Sequence, residues 1–201
     1  MAAVATETMS RPGSNGRVRL LTAGTSLRIV MVPVVMALVL SAGKGGEDAG
    51  SLAATILFLI AAGTDFLDGY LARRWSVTTT LGSFLDTTAD KLLVSGTLIA
   101  LVAVERVSPW VCVIIIGREL VIMGLRGAVA ADGTVMKPSL LGKWKATVQF
   151  IAIALALLRF GDPVGGLFID EWAMLVAAAI TLASAVDYLA RFASSFSEEP
   201  A

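Results

Sequence analysis

Residues 65–90 read DFLDGYLARRWSVTTTLGSFLDTTAD and lie between two apolar stretches of the chain. The segment contains four aspartates, which are Asp65, Asp68, Asp86 and Asp90. The first two are three positions apart and the last two are four positions apart, which is the spacing of one face of an α-helix. A short turn at 73–80 joins the two predicted helices. We therefore expect antiparallel neighbours whose acidic faces meet at one end.

The composition of the rest of the chain predicts a membrane protein. Apolar residues make up 56% of the 201 residues and charged residues 16%, and the mean hydropathy is +0.80. Soluble domains carry about 25% charged residues, and a helix needs about 20 residues to span the hydrocarbon. Six apolar segments approach or meet this length: Leu21–Leu40, Leu52–Ala72, Phe84–Val104, Trp110–Ala130, Thr147–Leu158 with its flanks, and Trp172–Phe192. The sequence thus predicts an all-α, polytopic membrane protein with six transmembrane helices.

The positions of Lys and Arg predict the orientation. If the N-terminus is cytosolic, nine of these residues fall in inner segments and three, Lys44, Arg106 and Arg159, fall in outer loops. Because cytosolic loops are enriched in Lys and Arg, both termini are expected inside the cell, and the acidic end of the helices faces the cytosol. The expected location is the cell (inner or plasma) membrane. Residues 1–18 and 196–201 are predicted to be tails around one domain at 19–195.

The residue types that are rare or missing exclude several classes of function. The chain has no histidine and a single cysteine, Cys112, which excludes histidine-dependent catalysis and metal sites built from Cys or His. Lys and Arg number 16 and Asp and Glu also number 16. The basic excess typical of nucleic-acid binding is therefore missing, and no nucleic-acid partner is expected.

The acidic faces themselves favour a metal site. Four carboxylates at one place cannot all be ionised unless cations compensate them, and Arg73 and Lys91 could supply part of that charge. Oxygen ligands suit Mg²⁺ or Mn²⁺, and two such ions could fit between two acidic faces. The small residues Gly69, Ala72 and Gly82 leave room for a bulky ligand, and the planar group of Arg73 suits a phosphate. The residues alone predict metal-assisted phosphoryl chemistry in the membrane.

The same residues resemble the signature of the CDP-alcohol phosphatidyltransferase family. The pattern is Asp65-x2-Asp68-Gly69-x2-Ala72-Arg73-x8-Gly82-x3-Asp86-x3-Asp90. Three further stretches, Gly117–Leu120, Leu125–Arg126 and Gly142–Gln149, resemble the branch that makes phosphatidylglycerophosphate from CDP-diacylglycerol and glycerol 3-phosphate. Thr25-x2-Arg28 in the first span also resembles the start of that branch.

The resemblance implies a role for each residue of the pattern. Asp65, Asp68 and Asp86 would bind one Mg²⁺ or Mn²⁺ ion, and Asp65, Asp86 and Asp90 the second. Asp90 would also take the proton from the acceptor alcohol. Six residues would contact the CDP moiety: Asp68, Gly69, Ala72, Arg73, Thr79 and Gly82. The acceptor hydroxyl would attack the β-phosphorus directly, and CMP would leave without a covalent enzyme intermediate. The implied partners are CDP-diacylglycerol, glycerol 3-phosphate and membrane lipids.

Four cations are candidates for binding the acceptor phosphate: Arg118, Arg126, Lys143 and Lys145. They could instead anchor the protein to anionic lipid headgroups. Arg118 is preferred because it lies near the middle of its helix, where an uncompensated charge is costly. Glu119 could equally pair with an arginine.

Other functions remain open. Within the family, the alternatives are cardiolipin synthase and phosphatidylinositol-phosphate synthase activities. Outside the family, the alternative is a cation carrier, which the clustering of the aspartates toward the cytosolic ends disfavours. The Ala-rich stretch 173–190 is expected to pack against other helices, or to form the seam of a homodimer.

Overall fold

The computed structural model describes residues 14–46, 48–75, 80–131 and 140–197. This part of the chain forms six α-helices and no β-strand. The helices are α1 (Ser14–Ala42), α2 (Ala49–Trp75), α3 (Thr80–Ala103), α4 (Pro109–Ala131), α5 (Leu140–Leu158) and α6 (Ile169–Ser197). The prediction of an all-α fold is confirmed, and each of the six apolar segments lies in a separate helix.

The helices are longer than their apolar segments suggested, most clearly at the starts of α1 and α5. α1 begins at Ser14, within the predicted N-terminal tail, whose first 13 residues lie outside the described part of the chain. α5 begins at Leu140, before the apolar segment that starts at Thr147, so Lys143 and Lys145 belong to the helix. Hydropathy identifies only the apolar part of a helix. Lys and Arg also have high helix propensity, so a helix can continue through them past the end of its apolar segment. α6 ends at Ser197, and the last four residues are outside the described ranges.

Two helical segments are long and apolar enough to cross a membrane, Gly24–Ala42 in α1 and Ile169–Ala193 in α6. Shorter apolar segments lie at Ala49–Thr64 in α2 and Trp144–Leu158 in α5. The charged residues that interrupt the remaining helices lie near their ends or on the faces described below.

The helices pack around an apolar core. α1 lies against α2 and α3, α5 lies against α6 and α2, and α4 packs on α6. Fully buried core side chains come from α1, α2, α3, α4 and α5, and include Val39, Phe58, Leu98, Ile115 and Leu157.

The contact between α1 and α3 is especially close at Gly96. A Cβ atom built on this glycine would lie 2.7 Å from Cγ1 of Val32. A hydrogen at this position therefore lets α1 approach the helix that carries Asp86 and Asp90.

The loops at the end opposite to the aspartates are held together by Arg106, which is 1% exposed. Its guanidinium donates to the carbonyl oxygens of Leu157 (2.8 Å) and Gly43 (2.5 Å) and to Ser51 Oγ (3.0 Å). Asp48 caps α2 by accepting the backbone N–H of Ser51 at 2.9 Å, and this hydrogen bond lowers the pKa of Asp48. One end of the bundle is thus closed by structural polar contacts.

Candidate active site

The candidate site lies at the other end of the bundle, where α3 begins. Asp86 and Asp90 stand one helical turn apart on α3, as the spacing predicted. The Asp86 side chain is 37% exposed, and its Oδ1 accepts a hydrogen bond from Nη1 of Arg28 on α1 at 3.1 Å. The pair brings a residue of the first helix into contact with the acidic face of the third.

Arg28 is a component of the site to which sequence reasoning assigned no role. Its side chain is fully buried, and its Nε donates to the carbonyl oxygen of Ala61 on α2 at 3.3 Å. It therefore contacts both helices that carry aspartates of the signature. A signal was present in the sequence, because a charged residue within an apolar span is a functional candidate by default.

Asp90 borders a small cavity between α3, α4 and α5. The cavity has a volume of about 30 Å³, and its polar lining includes Lys91, Glu119, Lys145 and Gln149. Such a volume suits about one water molecule. Asp90 Oδ1 is buried and has no hydrogen-bond partner among the described residues. The cavity therefore places a carboxylate with an unsatisfied oxygen beside a group of cations.

Glu119 is the centre of that group. Its Oε2 accepts a hydrogen bond from Nζ of Lys91 at 2.8 Å, and its Oε1 accepts from Nη1 of Arg118 at 3.2 Å and from Nζ of Lys145. All four side chains are largely buried, and Glu119 is 13% exposed. One carboxylate thus compensates three cations that come from α3, α4 and α5, which we call the Glu119 cluster. The hypothesis that Glu119 pairs with an arginine is confirmed.

Two of these cations have partners on other helices. Arg118 binds its sequence neighbour Glu119, and its Nη2 also donates to Ser184 Oγ on α6 at 2.7 Å. The ammonium of Lys91 bonds to Glu119 on α4, and Lys91 also lines the cavity that Asp90 borders. The contacts with Ser184 and with Glu119 of α4 are made by helix packing, so the segments around Arg118 and Lys91 do not reveal them.

Arg126, another candidate for the acceptor phosphate, has a different partner. The guanidinium carbon of Arg126 on α4 is 5.9 Å from the ring centroid of Tyr188 on α6, which is within the range of a cation–π interaction. Lys143 lies in α5, but its side chain is outside the described part of the structure.

Much of the predicted nucleotide site also falls outside the described side chains. Asp65, Asp68, Gly69, Ala72 and Arg73 lie in α2, but the structure describes none of their side chains. Thr79 lies outside the described residues altogether. Gly82 is in the first turn of α3, on the same face as the aspartate one turn later.

Two of the predicted metal ligands, Asp86 and Asp90, have side chains that the structure describes. Among the described residues, no group of three acidic side chains could hold an ion by itself. Asp86 and Asp90 offer oxygen donors of the kind that Mg²⁺ and Mn²⁺ prefer. A buried carboxylate oxygen that accepts no hydrogen bond is costly. The unsatisfied Oδ1 of Asp90 therefore fits a site in which this oxygen binds a cation.

Comparisons with known proteins identify relatives of this chain. The family model of the CDP-alcohol phosphatidyltransferases matches residues 22–183. A CDP-diacylglycerol–glycerol-3-phosphate 3-phosphatidyltransferase of Bacillus subtilis is 40% identical over 143 residues, which cover 67% of this chain and 74% of the relative. The corresponding enzyme of Sodalis glossinidius is 38% identical over 170 residues, covering 82% and 90%. A probable phosphatidylglycerophosphate synthase of Mycobacterium tuberculosis is 40% identical over 168 residues, covering 83% and 78%.

Proposed function

The chain belongs to the CDP-alcohol phosphatidyltransferase family, and on that premise we propose that it makes phosphatidylglycerophosphate. The phosphatidyl group of CDP-diacylglycerol would be transferred to glycerol 3-phosphate, with release of CMP. Relatives that cover most of the chain carry this activity in their names. The structural observation that supports it best is the cavity that Asp90 shares with Lys91, Glu119 and Lys145 of the Glu119 cluster. It would bring a base for the acceptor hydroxyl next to cations for the acceptor phosphate.

We propose that the acidic face holds two Mg²⁺ or Mn²⁺ ions. The ligands would be Asp65, Asp68 and Asp86 for one ion and Asp65, Asp86 and Asp90 for the other. When bound, the ions would supply positive charge to the diphosphate of the donor and to the departing CMP. Support from the described residues comes from the oxygen-only donor set on α3 and the unsatisfied Oδ1 of Asp90.

The chain's own residues would do the rest of the chemistry. Asp90 would accept the proton of the acceptor hydroxyl as the hydroxyl oxygen bonds to the β-phosphorus. The bond from that phosphorus to the CMP oxygen breaks in the same displacement, so the enzyme forms no covalent intermediate. Gly69, Ala72 and Gly82 would let the CDP moiety approach the backbone, and Arg73, together with Asp68 and Thr79, would bind it.

The acceptor phosphate would bind at the Glu119 cluster. Lys91, Arg118 and Lys145 together exceed the charge of Glu119 by two, and a phosphate dianion could replace the missing countercharge. On binding, some of these cations would shift from Glu119 toward the phosphate. Arg126 and Lys143 would contribute at the edge of the site.

We further propose that all six helices span the cell membrane, with both termini and the site in the cytosol. Support comes from the nine-to-three distribution of Lys and Arg and from the separation of the polar residues into two ends of the bundle. Both the donor and the product of the proposed reaction are lipids, while glycerol 3-phosphate is water-soluble. Homodimer formation stays a prediction, which light scattering of the purified protein would test.

The experiment is a kinetic comparison of acceptors and variants. Purified protein with CDP-diacylglycerol and Mg²⁺ should use glycerol 3-phosphate and should not use unphosphorylated glycerol, phosphatidylglycerol or an inositol phosphate. Arg118→Ala removes a charge-assisted contact of about 1.5–3 kcal/mol, which corresponds to a roughly ten- to hundredfold increase in the KM for glycerol 3-phosphate. The KM for CDP-diacylglycerol should not change.

The matched control is Arg191→Ala, which removes an arginine from α6, where it binds Asp187 outside the cluster. It should leave both KM values as in the wild type. If the protein prefers phosphatidylglycerol as acceptor, it is a cardiolipin synthase and the proposal is wrong. If it prefers an inositol phosphate, it is a phosphatidylinositol-phosphate synthase. An unchanged acceptor KM in Arg118→Ala would remove that residue from the acceptor site.

A further inference from the structure

Arg28 and Arg106 are the largest side chains that the described part of the protein buries completely, and only Arg28 lies beside the acidic face. It lies in Gly24–Ala42, a segment apolar enough to cross a membrane. Burying an arginine in such a segment costs several kcal/mol unless its charge and its donors are satisfied. The position of its guanidinium therefore needs an explanation beyond packing.

The contacts of Arg28 join three helices at the acidic face. From α1, Nη1 reaches Asp86 on α3 and Nε reaches the carbonyl of Ala61 on α2. Long side chains of a helix point toward its N-terminus, so Arg28 approaches the end of the bundle at which α2 ends and α3 begins. The close approach of α1 to α3 at Gly96 supports the same arrangement.

We propose that Arg28 is a positioning residue that serves as a built-in counter-ion for Asp86 before divalent cations bind. The inference rests on the proposed metal site. Without cations, neighbouring carboxylates repel one another and would push α2 and α3 apart. The guanidinium offsets one of these charges and ties the carboxylate to α1 and α2. The acidic face is thereby assembled in the absence of metal.

This role predicts a specific coupling between Arg28 and the metal. A bound cation also compensates Asp86, so the contribution of Arg28 to stability is largest when no cation is present. By linkage, removing Arg28 should make the stabilisation by a cation larger. An arginine that only fills space would contribute equally in both states.

The test is thermal unfolding of the purified full-length protein, with a chelator and with saturating Mn²⁺. Arg28→Gln should lower the Tm in chelator by several degrees more than it lowers the Tm with Mn²⁺. The increase in Tm caused by Mn²⁺ should accordingly exceed that of the wild type, by roughly 5 °C. The matched control is Arg106→Gln, which removes an equally buried arginine from the opposite end and should lower both Tm values to the same extent.

A second variant separates charge compensation from packing and remains informative if Arg28→Gln does not fold in chelator. Adding Asp86→Asn to Arg28→Gln removes the unpaired carboxylate, so the double variant should be more stable in chelator than Arg28→Gln alone. The proposal is overturned if Asp86→Asn fails to recover stability, or if Mn²⁺ stabilises Arg28→Gln no more than the wild type. Failure of Mn²⁺ to stabilise the wild type would instead refute the metal site, and the chelator comparison would still decide whether Arg28 and Asp86 compensate each other.

Discussion

The Glu119 cluster predicts an asymmetry between two substitutions that each remove one charge. Glu119→Gln leaves Lys91, Arg118 and Lys145 close together without their common carboxylate. Lys145→Gln leaves Glu119 with two of its three partners, at 2.8 and 3.2 Å, and relieves repulsion among the cations. Removing the carboxylate should therefore cost much more stability than removing one cation.

The burial of the cluster sets the size of the difference. Glu119 is 13% exposed and Lys145 is 7% exposed, so neither charge is well solvated. Removing one partner of a buried ion pair costs about 3–5 kcal/mol. Losing one of several hydrogen bonds to a charged group, with some repulsion relieved, costs about 1–2 kcal/mol. For a chain of this size each kcal/mol lowers the Tm by roughly 2–4 °C, so the two variants should be clearly resolved.

The assay is thermal unfolding of the two purified variants, first without ligand and then with inorganic phosphate. Phosphate should stabilise Glu119→Gln more than the wild type, because its charge replaces the lost carboxylate. Equal losses of Tm in Glu119→Gln and Lys145→Gln would refute the view that one carboxylate organises the cluster. If Glu119→Gln lowers the Tm but phosphate stabilises neither this variant nor the wild type, the cluster has a structural role and does not bind the acceptor phosphate.

Three other predictions follow from the site and its position. Removal of divalent cations by a chelator should abolish turnover, and Asp86→Asn should do so with Mg²⁺ present; full activity in chelator would exclude the metal site. Gly96→Ala places a methyl group into the contact between α1 and α3 and should cost about 1–3 kcal/mol, measured as a loss of Tm; an unchanged Tm would show that α1 can shift at no cost. In a protein whose Cys112 has been replaced, a cysteine at position 41 should react with an impermeant thiol reagent from outside the cell and one at position 78 should not, and the opposite pattern would invert the topology.

The fold could be predicted from the sequence because it depends on local features. Each apolar segment is long enough to form a helix, and the breaks between them contain glycines and charges. The start of α5 at Leu140 was missed because the first turns of that helix carry Lys143 and Lys145, which a search for apolar residues places outside it. The acidic face of α3 was predicted correctly because helical spacing alone brings Asp86 and Asp90 together.

The partners of the charged residues could not be predicted in the same way. The contact between Arg28 and Asp86 joins residues 58 positions apart, and the contact between Arg118 and Ser184 joins residues 66 positions apart. Both depend on which helices are neighbours and on how far each is rotated about its axis. Hydropathy and residue spacing predict which residues share a face of one helix. They predict neither which helices are neighbours nor how each helix is rotated about its axis.

The two halves of the site follow one electrostatic rule. Carboxylates that would hold cations have the arginine of α1 beside them, and cations that would hold a phosphate have Glu119 among them. In a membrane, an uncompensated charge costs several kcal/mol, so a site for a charged ligand must supply its own countercharge while it is empty. The binding free energy of the ligand is then the difference between the free energy of the contacts that it makes and that of the internal contacts that it replaces. Weakening an internal counter-ion should therefore destabilise the empty protein while strengthening its response to the ligand, which a residue with a purely structural role would not do.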